Sequence, residues 1–221
     1  MIKYFTILSS LLHGKSLNRT LQNDYFRNIE IYGEVIDLGS KSGISSYYSF
    51  LKNRANKITF CDYYYESKNV IKIDLERKFP IDDNKYDVII LNNTLEHLFK
   101  YDNCMKESYR ILKDNGMLIG VVPFLHKIHL DPDDFFRYSE SALNNIFKKA
   151  GFKKIKIDAL TLGPFTSALS IIMPILKFKL FKLLFFSLAF FLDTLIKPFK
   201  KKVLLSKFYP LSYVFILHKE I

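Results

Sequence analysis

Acidic, asparagine and histidine side chains recur where short apolar runs of the chain end. They fall in five places: "IDLGSKSG" (36–43), Asp62, Asp74, "NNTLEH" (92–97), and the segment that follows Pro123. Carboxylates accept hydrogen bonds from the hydroxyl and amino groups of a ligand, and histidines can move a proton near neutral pH. The pattern therefore indicates a site that binds a polar ligand and handles a proton, if the fold brings these places together.

The elements that would position these residues alternate between strand and helix signals. Helices are predicted over 44–56 from an apolar period, over 101–116 with Gly116 as the stop, and over 139–152, where Ser139 caps the start and Gly151 ends the helix. Residues 1–30 form a helical lead-in. The predicted strands are 33–39, 57–62, 69–75, 86–94, 117–124, 153–160 and 211–219.

This alternation predicts an α/β fold with a Rossmann-like, doubly wound, mostly parallel seven-stranded sheet and helices on both faces. Ligands of such sheets bind beyond the carboxyl ends of the strands, so the five places should meet at one edge. Residues 1–160 together with 209–221 are expected to form the main domain. Residues 161–208 are expected to form a hydrophobic, lysine-rich helical insertion before the last strand.

Composition narrows the class of protein. The chain has 221 residues, of which 49% are hydrophobic and 25% charged, which is typical of a globular protein rather than a disordered one. Its two cysteines, Cys61 and Cys104, have no metal-binding spacing, so a reducing, cytoplasmic location is expected and no metal ligand set is predicted. The first sixteen residues lack a small-residue cleavage pattern, which favours an amphipathic helix over a signal peptide.

Five ordered blocks resemble class I methyltransferases that use S-adenosylmethionine (SAM). The blocks are "VIDLGSKSG", "ITFCD", "VIKIDLERKFPIDDNKYDVIILNNTLEHL", "SYRILKDNGMLIGVVPF" and "AGF", and they cover about residues 30 to 160. The segment "VVPFLHKIHLDPDDFFRYSESALNNIFKKAGF" is similar to a subgroup associated with bacterial surface-polysaccharide biosynthesis. The resemblance implies SAM as cofactor and a sugar or lipid-linked saccharide as the acceptor of the methyl group, on oxygen or nitrogen.

The first half of the matched region supplies most of the implied cofactor contacts. Gly39 and Gly43 would let the backbone approach the methionine and ribose portions of SAM. By resemblance, Asp37 supports the cofactor's amino group, and Asp62 accepts hydrogen bonds from both ribose hydroxyls. Tyr63 would pack on the adenine.

The remaining cofactor contacts fall on the third and fourth strands. Asp74 would accept a hydrogen bond from the adenine amino group beside the Leu75 backbone, and Asn92 or Asn93 would line the methionine end. Taken singly, each aspartate could also be an ordinary turn residue. Lys41 occupies the position where such loops most often have a middle glycine, so tight SAM binding depends on its side chain pointing outward.

Methyl transfer to a hydroxyl requires that the acceptor loses its proton, and histidine is the usual base. His97, His126 and His129 all follow the predicted catalytic edge, and we favour His129 because it leads the "HLDPDDFFRY" segment. Asp134 would orient this histidine or act as the base itself. Arg137 would clamp an anionic group of the acceptor, or pair with Asp133 or Asp134 to hold the shape of the loop.

The net charge of +11 is concentrated near the end of the chain. Eight lysines and a single acid, Asp193, lie among the apolar residues of 177–207. Lysine interleaved with leucine and phenylalanine fits an anionic membrane surface better than nucleic acid, which we do not expect as a partner. The longest uncharged run, Leu183 to Leu192, has ten residues, whereas a bilayer span takes about 20. We therefore expect residues 164–207 to lie on the inner face of the cytoplasmic membrane, with a helical pair that covers the sheet or forms a dimer face as the alternative.

Two other functions compete with a methyltransferase. A non-catalytic protein of the same fold, serving as a membrane-attached scaffold in glycan assembly, is favoured by Lys41. A nicotinamide-dependent sugar oxidoreductase would use a Tyr-x-x-x-Lys pair, which occurs at Tyr48–Lys52 and Tyr64–Lys68, but the first turn lacks the Gly-x-Gly-x-x-Gly spacing. A nucleic-acid methyltransferase is disfavoured because "NNTL" stands where its catalytic block would be. The oligomeric state is not indicated by the sequence.

Overall fold

Seven strands form one sheet in the computed structural model, which describes residues 4–40, 45–68, 70–176, 178–196 and 208–220. The strand order is β3-β2-β1-β4-β5-β7-β6. β1 to β5 pair in parallel with one another, whereas β7 runs antiparallel to both β5 and β6. The strands are β1 (Glu30–Leu38), β2 (Lys52–Asp62), β3 (Val70–Lys72), β4 (Tyr86–Asn92), β5 (Leu112–Pro123), β6 (Lys154–Leu160) and β7 (Ser212–His218).

Helices cover both faces of this sheet. Short 3-10 turns occur at Ser46–Ser49, Leu95–His97 and Met173–Ile175. The α-helices are α1 (Tyr4–Leu12), α2 (Leu17–Phe26), α3 (Tyr101–Ile111), α4 (Glu140–Ala150), α5 (Pro164–Ile172) and α6 (Lys179–Ile196).

Two apolar layers, one on each face, hold the sheet between the helices. In β4 the buried residues alternate between them: Ile89 and Leu91 belong to the layer that contains α3 and α4, and Val88 and Ile90 to the other. This near-continuous apolar run is what a parallel strand buried on both faces requires. The predicted seven-stranded Rossmann-like fold is confirmed.

The helix predicted over 44–56 is wrong. Residues 46–49 form a single 3-10 turn, and Lys52 to Asn56 belong to β2. The first half of β2, Lys52 to Ala55, pairs with Glu30 to Gly33 of β1. The apolar period that predicted a helix has another cause. Tyr47, in the 3-10 turn, and Leu51, just after it, are both buried in the core. The polar residues that follow then form a strand, because their backbone pairs with the exposed start of β1.

The helix predicted over 101–116 ends earlier, at Ile111. β5 begins at Leu112, and an irregular register separates its first residues from the regular pairing that starts at Met117. The left-handed backbone conformation in this stretch is adopted by Asn115, with φ of 61°, rather than by Gly116. By contrast, α4 has the predicted ends: the Ser139 hydroxyl accepts a hydrogen bond from the Ala142 N–H, and Gly151 closes the helix at φ of 110°.

Helices α5 and α6 connect β6 to β7 and pack on the sheet. Leu169 of α5 and Phe186 and Ala189 of α6 are buried in the same layer as Val88 and Ile90. The Tyr4 hydroxyl of α1 lies 2.6 Å from Ser187 Oγ. One face of the pair therefore covers the sheet, as the alternative to membrane docking predicted.

Asp193, the single acid of the lysine-rich segment, joins the two helices. It is buried, and its carboxylate accepts hydrogen bonds from the backbone N–H of Phe165 and of Thr166 and from the Thr166 hydroxyl, at 2.7–2.9 Å. These donors belong to the first turn of α5, which has no capping side chain of its own. Asp193 thus caps α5 from the neighbouring helix.

The opposite face of α6 is apolar and exposed. Within the part of the chain that the structure describes, no helix combines the length and apolar character needed to cross a membrane. The exposed apolar side chains of α6 are Leu180, Phe181, Leu184, Phe185, Leu188, Phe191 and Leu195.

Candidate active site

A cavity of about 380 Å³ opens at the carboxyl ends of β1, β2 and β4. It is the place where the sequence predicted that the candidate residues would meet. The walls combine carboxylates, backbone at strand ends and aromatic rings. The lining residues among those predicted from the sequence are Gly39, Asp62, Tyr63, Asp74, Leu75 and His97.

Gly39 ends β1 at a point where no side chain fits. Its φ is +88°, and a Cβ atom would lie 2.7 Å from Thr94 Cγ2 and 2.8 Å from Thr94 Oγ1. The Thr94 hydroxyl donates a 3.1 Å hydrogen bond to the Leu38 carbonyl, which ties the end of β1 to the turn after β4. The backbone of Gly39 is therefore exposed to the cavity, as a closely bound ligand requires. Gly43 and Lys41 lie outside the described residues.

Asp62 ends β2 on the cavity wall and is only 6% exposed. Its Oδ1 accepts hydrogen bonds from the N–H groups of Tyr64 and Tyr65, both at 2.8 Å, which shape the turn that follows the strand. Within the described residues, Oδ2 accepts no side-chain or backbone hydrogen bond, so it is available to a ligand. Tyr63 lies beside it on the same wall, with 54% of its surface exposed.

Asp74 and Leu75 follow β3 on the same side of the cavity. Asp74 Oδ1 accepts a 2.9 Å hydrogen bond from the Glu76 N–H, and Oδ2 lies 3.1 Å from Nε of the exposed Arg77. A ligand amino group would have to displace Arg77, which costs little because exposed ion pairs are weak. The buried Leu75 side chain supplies an apolar floor.

Asn93, rather than Asn92, lines the cavity. Asn93 has a left-handed backbone, with φ of 52°, and its side-chain amide lies 3.3 Å from both the Asn92 Oδ1 and the Gln22 Oε1 atoms. Asn92 is thus one step removed from the wall. Of the two alternatives that the sequence left open, Asn93 is the one on the cavity wall, and its contact with a ligand stays a prediction.

Asp37 is buried behind the cavity and is not among its lining residues in the described chain. Its Oδ2 accepts hydrogen bonds from the hydroxyls of Tyr47 and Tyr48, the latter at 2.6 Å. Burial raises the pKa of this carboxyl to about 6, although the tyrosine hydrogen bonds act in the opposite direction. The predicted support of a cofactor amino group by Asp37 stays a prediction, and within the described residues this carboxyl contacts the two tyrosines instead of the cavity.

The raised pKa makes stability depend on pH. Between about pH 4 and pH 6 the unfolded chain has lost the Asp37 proton while the folded chain keeps it, so stability falls as pH rises through this window. We expect this group to lower the free energy of unfolding by about 3 kcal/mol across the window. Asp37→Asn should abolish that part of the fall in urea unfolding, whereas Asp82→Asn on an exposed loop should not. Identical pH slopes for Asp37→Asn and the unmodified protein would contradict the assignment.

A carboxylate and two histidines form a cluster beside the cavity. Glu96 and His97 lie in the 3-10 turn after β4, and His129 comes from the loop between β5 and α4. His97 Nε2 is 3.8 Å and His129 Nε2 is 3.6 Å from Glu96 Oε1, and the two imidazole rings meet edge to face at 4.9 Å between centroids. His97 lines the cavity, whereas His129 lies behind it.

The loop that carries His129 is fixed to the turn that carries Glu96. The Phe135 N–H donates a 2.9 Å hydrogen bond to the Glu96 carbonyl, and the buried Tyr138 hydroxyl donates a 3.1 Å bond to the Leu95 carbonyl. These long-range bonds bring residues about 40 positions apart into contact. The cluster is thus a product of the tertiary fold, not of local sequence.

Arg137 binds Asp134 instead of facing the cavity. Its Nη1 and Nη2 atoms donate to Oδ1 and Oδ2 of Asp134 at 2.5 and 2.6 Å, and they also reach the carbonyls of Phe136 and Lys127. This bidentate pair is the loop-holding alternative that the sequence left open. It also holds the pKa of Asp134 well below its usual range, which makes this carboxylate a poor base.

Asp134 in turn positions His129. Its Oδ2 accepts a 2.9 Å hydrogen bond from the His129 backbone N–H and lies 3.4 Å from the ring Nδ1. Glu96 and Asp134 raise the pKa of His129, with Glu96 as the larger cause. Burial lowers the pKa of the neighbouring His126, whose Nδ1 lies 2.9 Å from the Lys127 carbonyl.

Sequence reasoning assigned no role to Glu96, although it is the centre of the cluster. It is fully buried, and neither carboxylate oxygen has a hydrogen-bond partner within the described residues. The sequence offered a single indication that Glu96 belongs to the site, namely that this carboxylate lies between the apolar Leu95 and a histidine, His97. The aromatic rim was missed as well: the exposed rings of Phe99 and Phe135 line the cavity with their centroids 5.5 Å apart.

Comparison with known proteins agrees with this geometry. A sequence model described as "Methyltransferase domain" matches residues 15–157. A SAM-dependent methyltransferase from Archaeoglobus fulgidus is similar in structure, with a TM-score of 0.53 and 16% identity over 98% of this chain and 100% of that one. One from Thermotoga maritima has a TM-score of 0.56 and 18% identity over 96% and 93% of the two chains.

A further similar structure contains ligands. It is phosphoethanolamine N-methyltransferase 2 of Haemonchus contortus, in complex with phosphomonomethylethanolamine and S-adenosylhomocysteine, with a TM-score of 0.56 and 16% identity over 97% of this chain and 56% of that one. No curated protein matches the chain in sequence. At these identities the structural likeness establishes the fold.

Proposed function

Since the chain belongs to the methyltransferase-domain family, we propose that it binds SAM in the cavity at the strand ends and methylates an acceptor there. The observation that carries this proposal is the wall formed by Gly39, Asp62 and Asp74. The open backbone at Gly39 would contact the methionine portion of SAM. The carboxylates of Asp62 and Asp74, at the ends of successive strands, would contact the ribose and the adenine. SAM supplies a methyl group attached to a positively charged sulfur.

The free oxygen of Asp62 supports this fit. Asp62 Oδ2 accepts no hydrogen bond within the described residues and belongs to a residue of the cavity wall, so it suits a ligand with hydroxyl donors, and the ribose has two of them. Tyr63 is exposed beside Asp62 and offers an aromatic face for the adenine. Asn93 lines the cavity and would contact the methionine end, where the sequence predicted Asn92 or Asn93.

The residues of the chain have two tasks in such a reaction. They hold the acceptor atom in line with the methyl–sulfur bond and keep water out, and they help the acceptor to lose its proton. The cluster of Glu96, His97 and His129 borders the cavity through His97, so it is placed to promote that loss. His129, the base expected from the sequence, would act through His97 or on an acceptor that reaches past it.

We propose a sugar or lipid-linked saccharide as the acceptor, methylated on oxygen or nitrogen in the synthesis of a cell-surface glycan. The proposal is supported by the resemblance of residues 121–152 to the polysaccharide-associated subgroup. It is also supported by the exposed rings of Phe99 and Phe135 at the rim, since apolar and aromatic walls with a few polar groups are typical of small-molecule sites.

The test of this function begins with calorimetric titration of the protein with SAM and S-adenosylhomocysteine. A SAM-dependent enzyme binds both ligands. A non-catalytic scaffold, in which Lys41 prevents the loop from binding the cofactor, binds neither. Incubation with methyl-labelled SAM and lipid-linked saccharides should then place label in the saccharide fraction. Binding without any labelled saccharide would refute the acceptor, and the absence of binding would refute the enzyme.

We further propose that helices α5 and α6, as a hydrophobic insertion within 161–208, hold the protein on an anionic membrane surface. The exposed leucine and phenylalanine side chains of α6 form an apolar face, and Lys179 and Lys182 flank its first turns. A lysine whose stem lies along an apolar face places its charge at the headgroup level. The enzyme would then meet lipid-linked saccharides on the inner face of the cytoplasmic membrane.

Co-sedimentation with vesicles tests this surface. We expect binding to vesicles that contain phosphatidylglycerol and much weaker binding to pure phosphatidylcholine, because the lysines attract anionic headgroups. The triple variant Leu184→Ser, Leu188→Ser, Phe191→Ser should weaken binding at least about tenfold, since it removes apolar surface from the bilayer boundary. Tyr32→Ser, an exposed aromatic on β1, is the matched control. No binding to either vesicle removes the proposal.

A further inference from the structure

The ligand-type atoms of Glu96, His97 and His129 converge on one point. One atom from each residue lies within 4.8 Å of the other two. The Nε2 atoms of the two histidines are 3.8 and 3.6 Å from the same oxygen, Glu96 Oε1. Three ligands of a four-coordinate zinc ion, bound at about 2.0–2.2 Å, are about 3.4 Å from one another. The two nitrogen–oxygen separations are close to that value, and the separation between the two histidines is below 4.8 Å.

A hydrogen bond from the far nitrogen orients the His97 imidazole from behind. His97 Nδ1 lies 2.5 Å from the Asp133 carbonyl oxygen, and because a carbonyl can only accept, Nδ1 carries the hydrogen and Nε2 keeps its lone pair. His129 Nδ1 lies 3.4 Å from Asp134 Oδ2 but forms no hydrogen bond within the described residues, and Asp134 holds His129 through its backbone N–H instead. A carbonyl or carboxylate behind the far nitrogen is the usual support of a metal-binding histidine.

Glu96 supplies an independent indication that a cation is bound. Its side chain is fully buried, and within the described residues both oxygens lack a hydrogen-bond partner. A buried carboxylate without hydrogen bonds is costly, and the compensation that proteins provide is a paired charge or a metal ion. His129 is 33% exposed, so an ion can reach the cluster from solvent.

We propose that Glu96, His97 and His129 bind one divalent transition-metal ion, of which Zn²⁺ fits best. Two imidazoles and one carboxylate form a borderline ligand set that favours zinc over magnesium or calcium, which prefer oxygen ligands. Three protein ligands leave a fourth position open, and His97 places that position beside the cavity. The metal site replaces the expectation from sequence that no metal is required.

The use of the ion rests on the proposed methyltransferase function, although its binding does not. An acceptor hydroxyl bound at the fourth position would have a lowered pKa and release its proton to solvent. The ionised oxygen would then form the bond to the methyl carbon as the carbon–sulfur bond breaks, and the electron pair of that bond stays on sulfur. Both Nε2 atoms would act as ligands, so the free-imidazole base is not needed.

Metal titration of the full chain tests the site. After treatment with a chelator, the protein should bind one Zn²⁺ per chain in calorimetry, and Co²⁺ should give the intense visible absorption of a four-coordinate site. Glu96→Gln and His97→Ala should each weaken Zn²⁺ binding at least about 100-fold, and Asp134→Asn about 10- to 100-fold. His13→Ala, an exposed histidine after α1, should leave the binding unchanged.

Three results would overturn the proposal: no stoichiometric Zn²⁺ binding, the weak spectrum of six-coordinate solvated cobalt, or Zn²⁺ binding that survives Glu96→Gln. The cobalt spectrum of the unmodified protein keeps the proposal testable if a variant does not fold. SAM binding to the same sample is measured separately. Zinc binding without SAM binding would refute the proposed function and support the metal site. SAM binding without zinc binding would refute the metal site and leave the proposed function standing.

Discussion

Asp62→Ala is expected to weaken SAM binding about 100-fold or more. The carboxylate has one oxygen free for a ligand, and hydrogen bonds to a charged group contribute about 1.5–3 kcal/mol each, so the loss of two ribose contacts is sufficient. Asp62 also accepts hydrogen bonds from the N–H groups of Tyr64 and Tyr65. Its removal breaks these bonds and so loosens the turn that carries Tyr63 to Tyr65. Calorimetry with SAM measures the change.

Two further variants separate these contributions. Asp62→Asn keeps one acceptor oxygen for the Tyr64 and Tyr65 N–H groups but removes the charge and the second acceptor, so we expect an intermediate loss of affinity. Asp82→Ala, on an exposed loop, makes the same change of net charge away from the cavity and should bind as the unmodified protein does. If Asp62→Ala binds SAM within about twofold of the unmodified protein while remaining folded, the placement of the ribose is wrong.

The strands of this fold are encoded locally, and the sequence was sufficient to place them. The four central residues of β4, Val88 to Leu91, are all apolar because the strand is buried on both faces, so the strand follows from composition alone. Helix α4 likewise carries its own start and stop in Ser139 and Gly151. The position of the candidate site followed from the order of strands and helices, because parallel strands bring their carboxyl ends to one edge.

The errors occur where a residue's environment is set by distant parts of the chain. Tyr47 and Tyr48 belong to an apolar period, 44, 47, 48 and 51, that predicted a helix, yet they lie on a short 3-10 turn and their hydroxyls donate to the buried Asp37. The apolar periodicity of a sequence indicates which side chains are buried. It does not indicate which other residues they pack against. The same limit hid Glu96, since long-range hydrogen bonds, among them those of Phe135 and Tyr138, bring the His129 loop over it.

The two faces of α6 show why composition alone left two alternatives open. An amphipathic helix that covers a sheet and one that lies on a membrane both need apolar residues at helical spacing. Here Phe186 and Ala189 pack on the sheet while Leu184 and Phe191 are exposed. A helix that is apolar on more than one face fits both alternatives. The buried Asp193 fixes its orientation by capping α5.

His129→Ala is expected to lower the turnover of methyl transfer by about 100-fold or more, while SAM affinity changes by less than about twofold. General acid–base groups contribute about 10²–10⁴ to rate, and the loss of a metal ligand has an effect of at least that size. His129 is not on the cavity wall where SAM would bind, so the binding of SAM should be spared. His97→Ala should produce a comparable loss of turnover, because the two imidazoles converge on the same Glu96 oxygen.

The measurement compares turnover with a labelled saccharide acceptor and SAM affinity by calorimetry in the same preparations. His13→Ala, which removes an exposed histidine far along the chain from the cluster, should match the unmodified protein in both. Added imidazole should restore part of the activity of His129→Ala if the ring acts as a free base, whereas a ligand role predicts little rescue and a loss of bound zinc. Equal loss of turnover and SAM affinity would mean that His129 only supports the fold, and unchanged turnover would exclude the cluster from catalysis.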